Sequence, residues 1–133
     1  MQTSGLISHK NVAYYEYNHT KHGGAVGAIP VPGDVIPKGA IIKEGLLHIK
    51  DACTSAATTC TLGVSALTTS DILAPAAVST LTPENTLLAT VPVGTAATAI
   101  RVTEDITELE FNVGVVPLTG GKIVAALEYI VTD

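Results

Sequence analysis

The sequence predicts an all-β protein, a small β-sandwich or barrel preceded by an extended N-terminal arm. Three observations carry this expectation. Several short segments alternate apolar and polar residues with a period of two. Gly, Pro and Asn punctuate them at the short spacing of sandwiches and barrels. No stretch sustains a 3.6-residue apolar period, which leaves room for at most a turn or two of helix.

Taken in order, residues 1–36 read as an arm. Their one short strand, residues 12–17, is followed by a Gly/Pro-rich linker from Gly23 to Gly33, whose composition argues against a helix and against a central strand. The body, residues 37–133, holds candidate strands at 40–50, 58–64, 86–93, 97–103, 108–115 and 122–132. Turns are expected at Pro37-Lys38-Gly39, Pro83-Glu84-Asn85 and Thr119-Gly120-Gly121. Ser70 begins a segment that reads as a capped single helical turn over 70–74, which Pro75 stops. The clearest strand is 108–115, where Leu109, Phe111, Val113 and Val115 alternate with Glu110, Asn112 and Gly114. In 122–132, Ile123, Ala125, Leu127, Tyr129 and Val131 form one row. The other row mixes Val124, Ala126 and Ile130 with Glu128, so this strand is expected to be central and covered on both faces. Cys60, Leu62 and Val64 form a third inward row.

Composition narrows the function. The chain has 133 residues, 47% of them hydrophobic and 14% charged, with a mean hydropathy of +0.42. That excludes a wholly disordered chain, yet no apolar run reaches the length of a membrane helix. The opening residues lack the basic and apolar regions of a secretory signal. Seven basic against twelve acidic residues give −5, the wrong sign for gripping a phosphate backbone. The arm is electrically neutral, so the whole net charge lies in the body. Ordering 36 residues costs about 1–2 kcal/mol each, and so lightly hydrophobic an arm is expected to order against a partner.

Catalytic and metal motifs are weak. Gly120-Gly121-Lys122 lacks the spacing of a phosphate loop. His19 and His22 have a ligand-like spacing without neighbouring Cys or carboxylates, and His48 reads as a strand residue facing water. Glu104, Asp105, Glu108 and Glu110 read as a solvated acidic edge rather than a calcium loop. Cys53 and Cys60 read as two small buried hydrophobes. No enzyme, cofactor or metal site is expected. Tyr14, Tyr15 and Tyr17 stand out, with Tyr15 and Tyr17 on one strand face and Tyr14 on the other. Two accounts stay open for them: rings that pad a core short of aromatics, or anchors at an interface.

From residue 36 onward the chain resembles the capsid decoration (cement) and head-fibre-base proteins of tailed bacteriophages. The residues that carry the likeness are Ile36-Pro37-Lys38-Gly39-Ala40, Cys60-Thr61-Leu62-Gly63-Val64 and Asp71-Ile72-Leu73-Ala74. Thr98-Ala99-Ile100-Arg101-Val102, Leu118-Thr119-Gly120-Gly121-Lys122 and the closing Leu127-Glu128-Tyr129-Ile130 complete it. The resemblance implies a β-sandwich of jelly-roll type or a related small barrel. It also implies a homo-oligomer, dimer or trimer, bound to the major capsid protein on the outer surface of the head, with no active site to transfer. Extended at ~3.3 Å per residue, the arm would reach a neighbouring capsomer, and Val12, Tyr14, Tyr15 and Tyr17 would bind it by β-addition. The competing expectations are a fibre or tail appendage that binds carbohydrate or a receptor, and a small hydrolase or lyase. The first lacks outward aromatics in the body, and the second has only His48 there.

Overall fold

The computed structural model describes residues 11–57, 59–81 and 86–131. The first ten residues of the expected arm, the turn at 83–85 and the outer ends of two expected strands (Thr58, Thr132) lie outside them. Among the described residues there are nine strands: β1 (Asn11–Asn18), β2 (Gly27–Ile36), β3 (Ala40–Ser55), β4 (Thr61–Ser65), β5 (Leu73–Ala77), β6 (Thr86–Val93), β7 (Ile100–Arg101), β8 (Ile106–Gly114) and β9 (Leu118–Val131). A four-residue helix, α1 (His19–His22), and a 3-10 turn at Val78–Leu81 accompany them.

The strands form one curled sheet in the order β5-β4-β8-β2-β1-β9-β3-β6, with β7 beside β3. It folds over at β2, so that β1, β9, β3 and β6 make one wall and β8, β4 and β5 the other. The far edges meet where Val91 N–H donates to the Ile72 carbonyl at 2.8 Å, nearly closing a barrel. The expected all-β class, sandwich or barrel, is what the chain adopts.

The expected arm boundary at residue 36 does not match this topology. Strand β1 lies between β2 and β9 and pairs with β9 from Asn11↔Tyr129 to Asn18↔Lys122. Strand β2, expected as a linker, pairs with β8 from Gly27↔Val113 to Pro32↔Glu108. Its prolines are compatible because β2 meets β1 only at Tyr15↔Gly33. The missing N–H groups of Pro30 and Pro32 therefore fall on a side that carries no ladder. Residues 11–36 recover their ordering cost within their own domain because Ala13, Tyr15, Tyr17, Ile29, Val31 and Ile36 all enter the core.

The fold-over is held at a small seam. Tyr14 N–H donates to Asp34 Oδ2 at 3.0 Å, and the Tyr15 hydroxyl donates to the Asp34 carbonyl. Gly33 makes the approach possible, since a Cβ there would sit 2.3 Å from the Tyr14 carbonyl oxygen and 2.5 Å from the Tyr15 ring. Across the core, Tyr17 stacks on Phe111 of the opposite wall, with centroids 5.3 Å apart, and on His22 at 5.9 Å. The inward rows expected for β4, β8 and β9 are buried along most of their length; Val115 ends outside β8, exposed and at φ +74°, and the β9 row loosens at its end, where Tyr129 is half-buried and Val131 exposed.

Three further expectations differ locally. Residues 70–74 do not form a helical turn. The Asp71 carboxylate accepts the backbone N–H groups of Ala66 (2.6 Å), Leu67 (2.9 Å) and Thr68 (3.0 Å), tying down the preceding loop, and Leu73 begins β5. Thr119–Gly121 lies inside β9 rather than in a turn. Gly121 there takes φ +139°, and a Cβ would press on Cys53 Sγ at 2.8 Å. The strand expected at 97–103 shrinks to Ile100–Arg101, because Thr95 and Thr98 lock residues 95–99 into a turn.

Two outcomes follow from the core. Gly33→Val drives a branched side chain into the β1 backbone and lowers unfolding free energy by about 3 kcal/mol, read by urea denaturation; an unchanged midpoint contradicts the seam. The second concerns pH. Burial pushes the Cys53 thiol from 9.0 to about 11 and the Tyr17 phenol from 10.0 to about 12. Tyr15 is raised by burial and, next, by the Asp34 charge. These acids stay neutral in the fold and ionise sooner in the unfolded chain, so the unfolded state binds fewer protons at high pH. Stability is therefore full below about pH 9 and falls as pH rises towards about 12. Tyr17→Phe makes that fall shallower in denaturant titrations, whatever it costs at neutral pH.

Candidate interaction surface

The four residues expected to bind a partner divide by strand parity. Tyr15 and Tyr17 are core, at 1% and 0% exposure, whereas Val12 and Tyr14 point outward at 41% and 56%. Tyr15 and Tyr17 thus pad the core, and Tyr14 is left exposed on the outer side of the sheet. β-Addition through residues 12–17 does not fit, because β1 is already laddered to β9 along its length.

Val12 and Tyr14 belong to a larger feature, the outer face of the β1-β9-β3-β6 wall. The register aligns Tyr14, Ala126, Leu46 and Ala89 in one row across four strands. The next row is Glu16, Val124, His48 and Leu87, and the row on the other side is Val12, Glu128, Glu44 and Val93. Leu46 is 42% exposed and Leu87 63%; Val91 and Val93 are exposed as well. A hollow of about 340 Å³ lies among Val12, Leu46 and Ala126, between the two glutamates. Glu16 pairs with Lys122 at 3.7 Å near one end of the face.

Strand β6 explains why this face escapes a sequence reading. Its apolar Leu87, Ala89, Val91 and Val93 point out, while Leu88, Thr90 and Pro92 point in. Thr90 is buried without penalty because its hydroxyl is shared between the carbonyls of Gly45 (3.1 Å) and Pro92 (2.9 Å). The only signal in the sequence is that both rows of β6 and β9 are apolar, which indicates cover on two sides. The described residues cover one.

The opposite wall has a different outer surface. Glu108, Glu110 and Asn112 of β8 line up with Pro32, Pro30 and Ala28 of β2, and the last two of the three pair with Ser65 and Gly63 of β4. Asn112 Nδ2 donates to Ser65 Oγ at 2.7 Å. Glu108 and Glu110 are solvent-exposed here, but on an interior strand between β4 and β2 rather than at the sheet edge expected for them.

The remaining candidates have structural work. His19 Nε2 donates to the Leu118 carbonyl (3.1 Å), and His22 Nδ1 accepts the Asn18 N–H (3.0 Å). Asp105 accepts the Lys38 N–H at 2.8 Å. Cys53 and Cys60 are buried free thiols, with Cys60 Sγ donating to the Val116 carbonyl at 2.9 Å. Among the described residues no group of three His, Cys, Asp or Glu side chains is arranged to hold a metal, and no helix is long and apolar enough to cross a membrane.

No protein-family model matches the chain, and no curated protein matches it. Solved structures do. A chain of the cyanophage Pam1 capsid asymmetric unit superposes with a TM-score of 0.71 at 20% identity, covering 99% of this chain and 91% of that one. A chain of the Ralstonia phage GP4 capsid gives 0.61 at 19% identity, over 92% and 86%. One from the acid-stable capsid of the Helicobacter pylori bacteriophage KHP30 gives 0.61 at 13%, over 93% and 89%. The fold built around the β1–β2 seam is thus one shared with chains of three phage capsids.

Proposed function

We propose that the chain is a structural virion protein without catalytic activity, a decoration (cement) protein. In this reading it binds the outside of a phage head and bridges neighbouring major capsid subunits as a homo-oligomer. The observation that carries the reading is the inequality of the two outer faces. A monomer in water has no use for a row such as Tyr14, Ala126, Leu46 and Ala89 flanked by Leu87, Val91 and Val93. The acidic β8 face suits solvent. The shared fold with chains of phage capsids supports the same reading. Attachment then occurs through a preformed sheet face rather than a donated arm strand. Little backbone entropy is lost on binding, and many copies on one lattice turn modest contacts into a collective brace.

The test uses heads purified from phage lacking this protein. Wild-type chain added back co-sediments at a fixed ratio to the capsid subunit, and Leu46→Glu lowers retention by more than about tenfold. The same substitution leaves thermal unfolding nearly unchanged, since surface changes cost about 0.5 kcal/mol or less. Failure of the wild-type chain to bind heads overturns the proposal.

A further inference from the structure

At the β7 end of the apolar face lies a groove of about 440 Å³. Its floor is Ile41, Ile130, Ala96 and Ala99, and its two charged walls are Lys43 and Arg101. We infer that this groove receives an extended acidic segment of the partner protein, one that places a carboxylate between Lys43 and Arg101 and an apolar side chain on the floor.

Four observations lead there. Arg101 is the chain's sole arginine, and acidic residues outnumber basic ones by twelve to seven. Nevertheless, among the described residues, no ion pair or side-chain hydrogen bond engages Arg101 or Lys43. Lys38 lines an adjoining hollow together with Arg101, so three of the seven basic side chains gather at one end of an acidic protein. An unpaired guanidinium beside apolar side chains suits a planar carboxylate, which it can clasp through two parallel hydrogen bonds.

The groove is also preformed. Gly94 N–H donates to the Lys43 carbonyl at 2.9 Å, and Val93 N–H to Thr98 Oγ1 at 3.1 Å. Ala99 N–H donates to the Thr95 carbonyl at 3.1 Å. The turn that carries Ala96 and Ala99 is thus fixed before any ligand arrives. Among the described residues β7 pairs with β3 alone, so its outer edge can take an extended segment lying along it.

The inference rests on the head-binding reading, and two experiments separate their failures. In the first, isotope-labelled full-length chain is titrated with the capped peptide Leu-Asp-Leu-Asp, its Leu-Asn-Leu-Asn isostere and a thymidine oligonucleotide, followed by NMR. Amide shifts centred on Lys43, Thr95, Ala99 and Arg101 are expected with the carboxylate peptide alone. R101A should weaken its binding about tenfold, the value of a charge-assisted hydrogen bond. Equal shifts with the isostere, or stronger ones with the oligonucleotide, overturn the inference. In the second, the K43A/R101A double variant is added to heads lacking the protein. Retention about tenfold weaker than wild type, with reduced salt dependence, supports it. Wild-type retention by this variant while L46E is lost overturns the groove and leaves the head-binding reading intact. If wild-type chain is not retained at all, that reading fails and the peptide titration alone decides the groove.

Discussion

The structure depends on two strands that cannot be joined along their length meeting at one point. β2 belongs by its ladder to β8, and β1 belongs to β9. Only the contact of Tyr15 with Gly33, fixed by the two hydrogen bonds to Asp34, turns these ladders into one continuous sheet. The register shift between Pro32 and Ile36 supplies the corner, as bulges do where a sheet changes direction. Once the corner is made, Tyr17 reaches Phe111 across the interior, and the two walls enclose a core of small aliphatic side chains with few aromatics.

That geometry also creates the unequal surfaces. A sheet wrapped around a core satisfies one row of each strand and leaves the other to its surroundings. On β8 the leftover row is Glu108, Glu110 and Asn112, which water satisfies. On β1, β9, β3 and β6 it is largely valine, leucine, alanine and tyrosine. Positions close to one another thus have opposed roles: Tyr15 holds the fold together and Tyr14 faces out. The acidic pair Glu44 and Glu128, aligned across β3 and β9, keeps the apolar face from being uniform. The basic groove at its end gives the face a direction.

The sequence made the strands legible where alternation was clean and one face was wet. Leu109, Phe111 and Val113 could point only one way, and so could Cys60, Leu62 and Val64. It misled where backbone chemistry depended on partners far along the chain. The prolines of β2 argued against a strand, because nothing local shows that one side of β2 carries no ladder. Asp71 read as part of a helical turn because its three N–H donors precede it. The parity of Tyr14, Tyr15 and Tyr17 was plain, but their assignment required knowing that β9 lies alongside. The face itself was half visible: two apolar rows in 122–132 indicated cover on both sides. That the described residues cover only one of them emerges only when the wall's other neighbours are known.

The central claim is that residues 11–18 form an integral strand of the isolated protein, so that its apolar outer face is built before any partner arrives. Native-state hydrogen exchange on the free chain tests it most directly. The account predicts that amides of β1 laddered to β9 exchange only through opening of the whole domain, with the same free energy as those of β9 itself. Rapid exchange across β1 while β8 and β9 stay protected would show that the strand docks only on a partner, and would contradict the account.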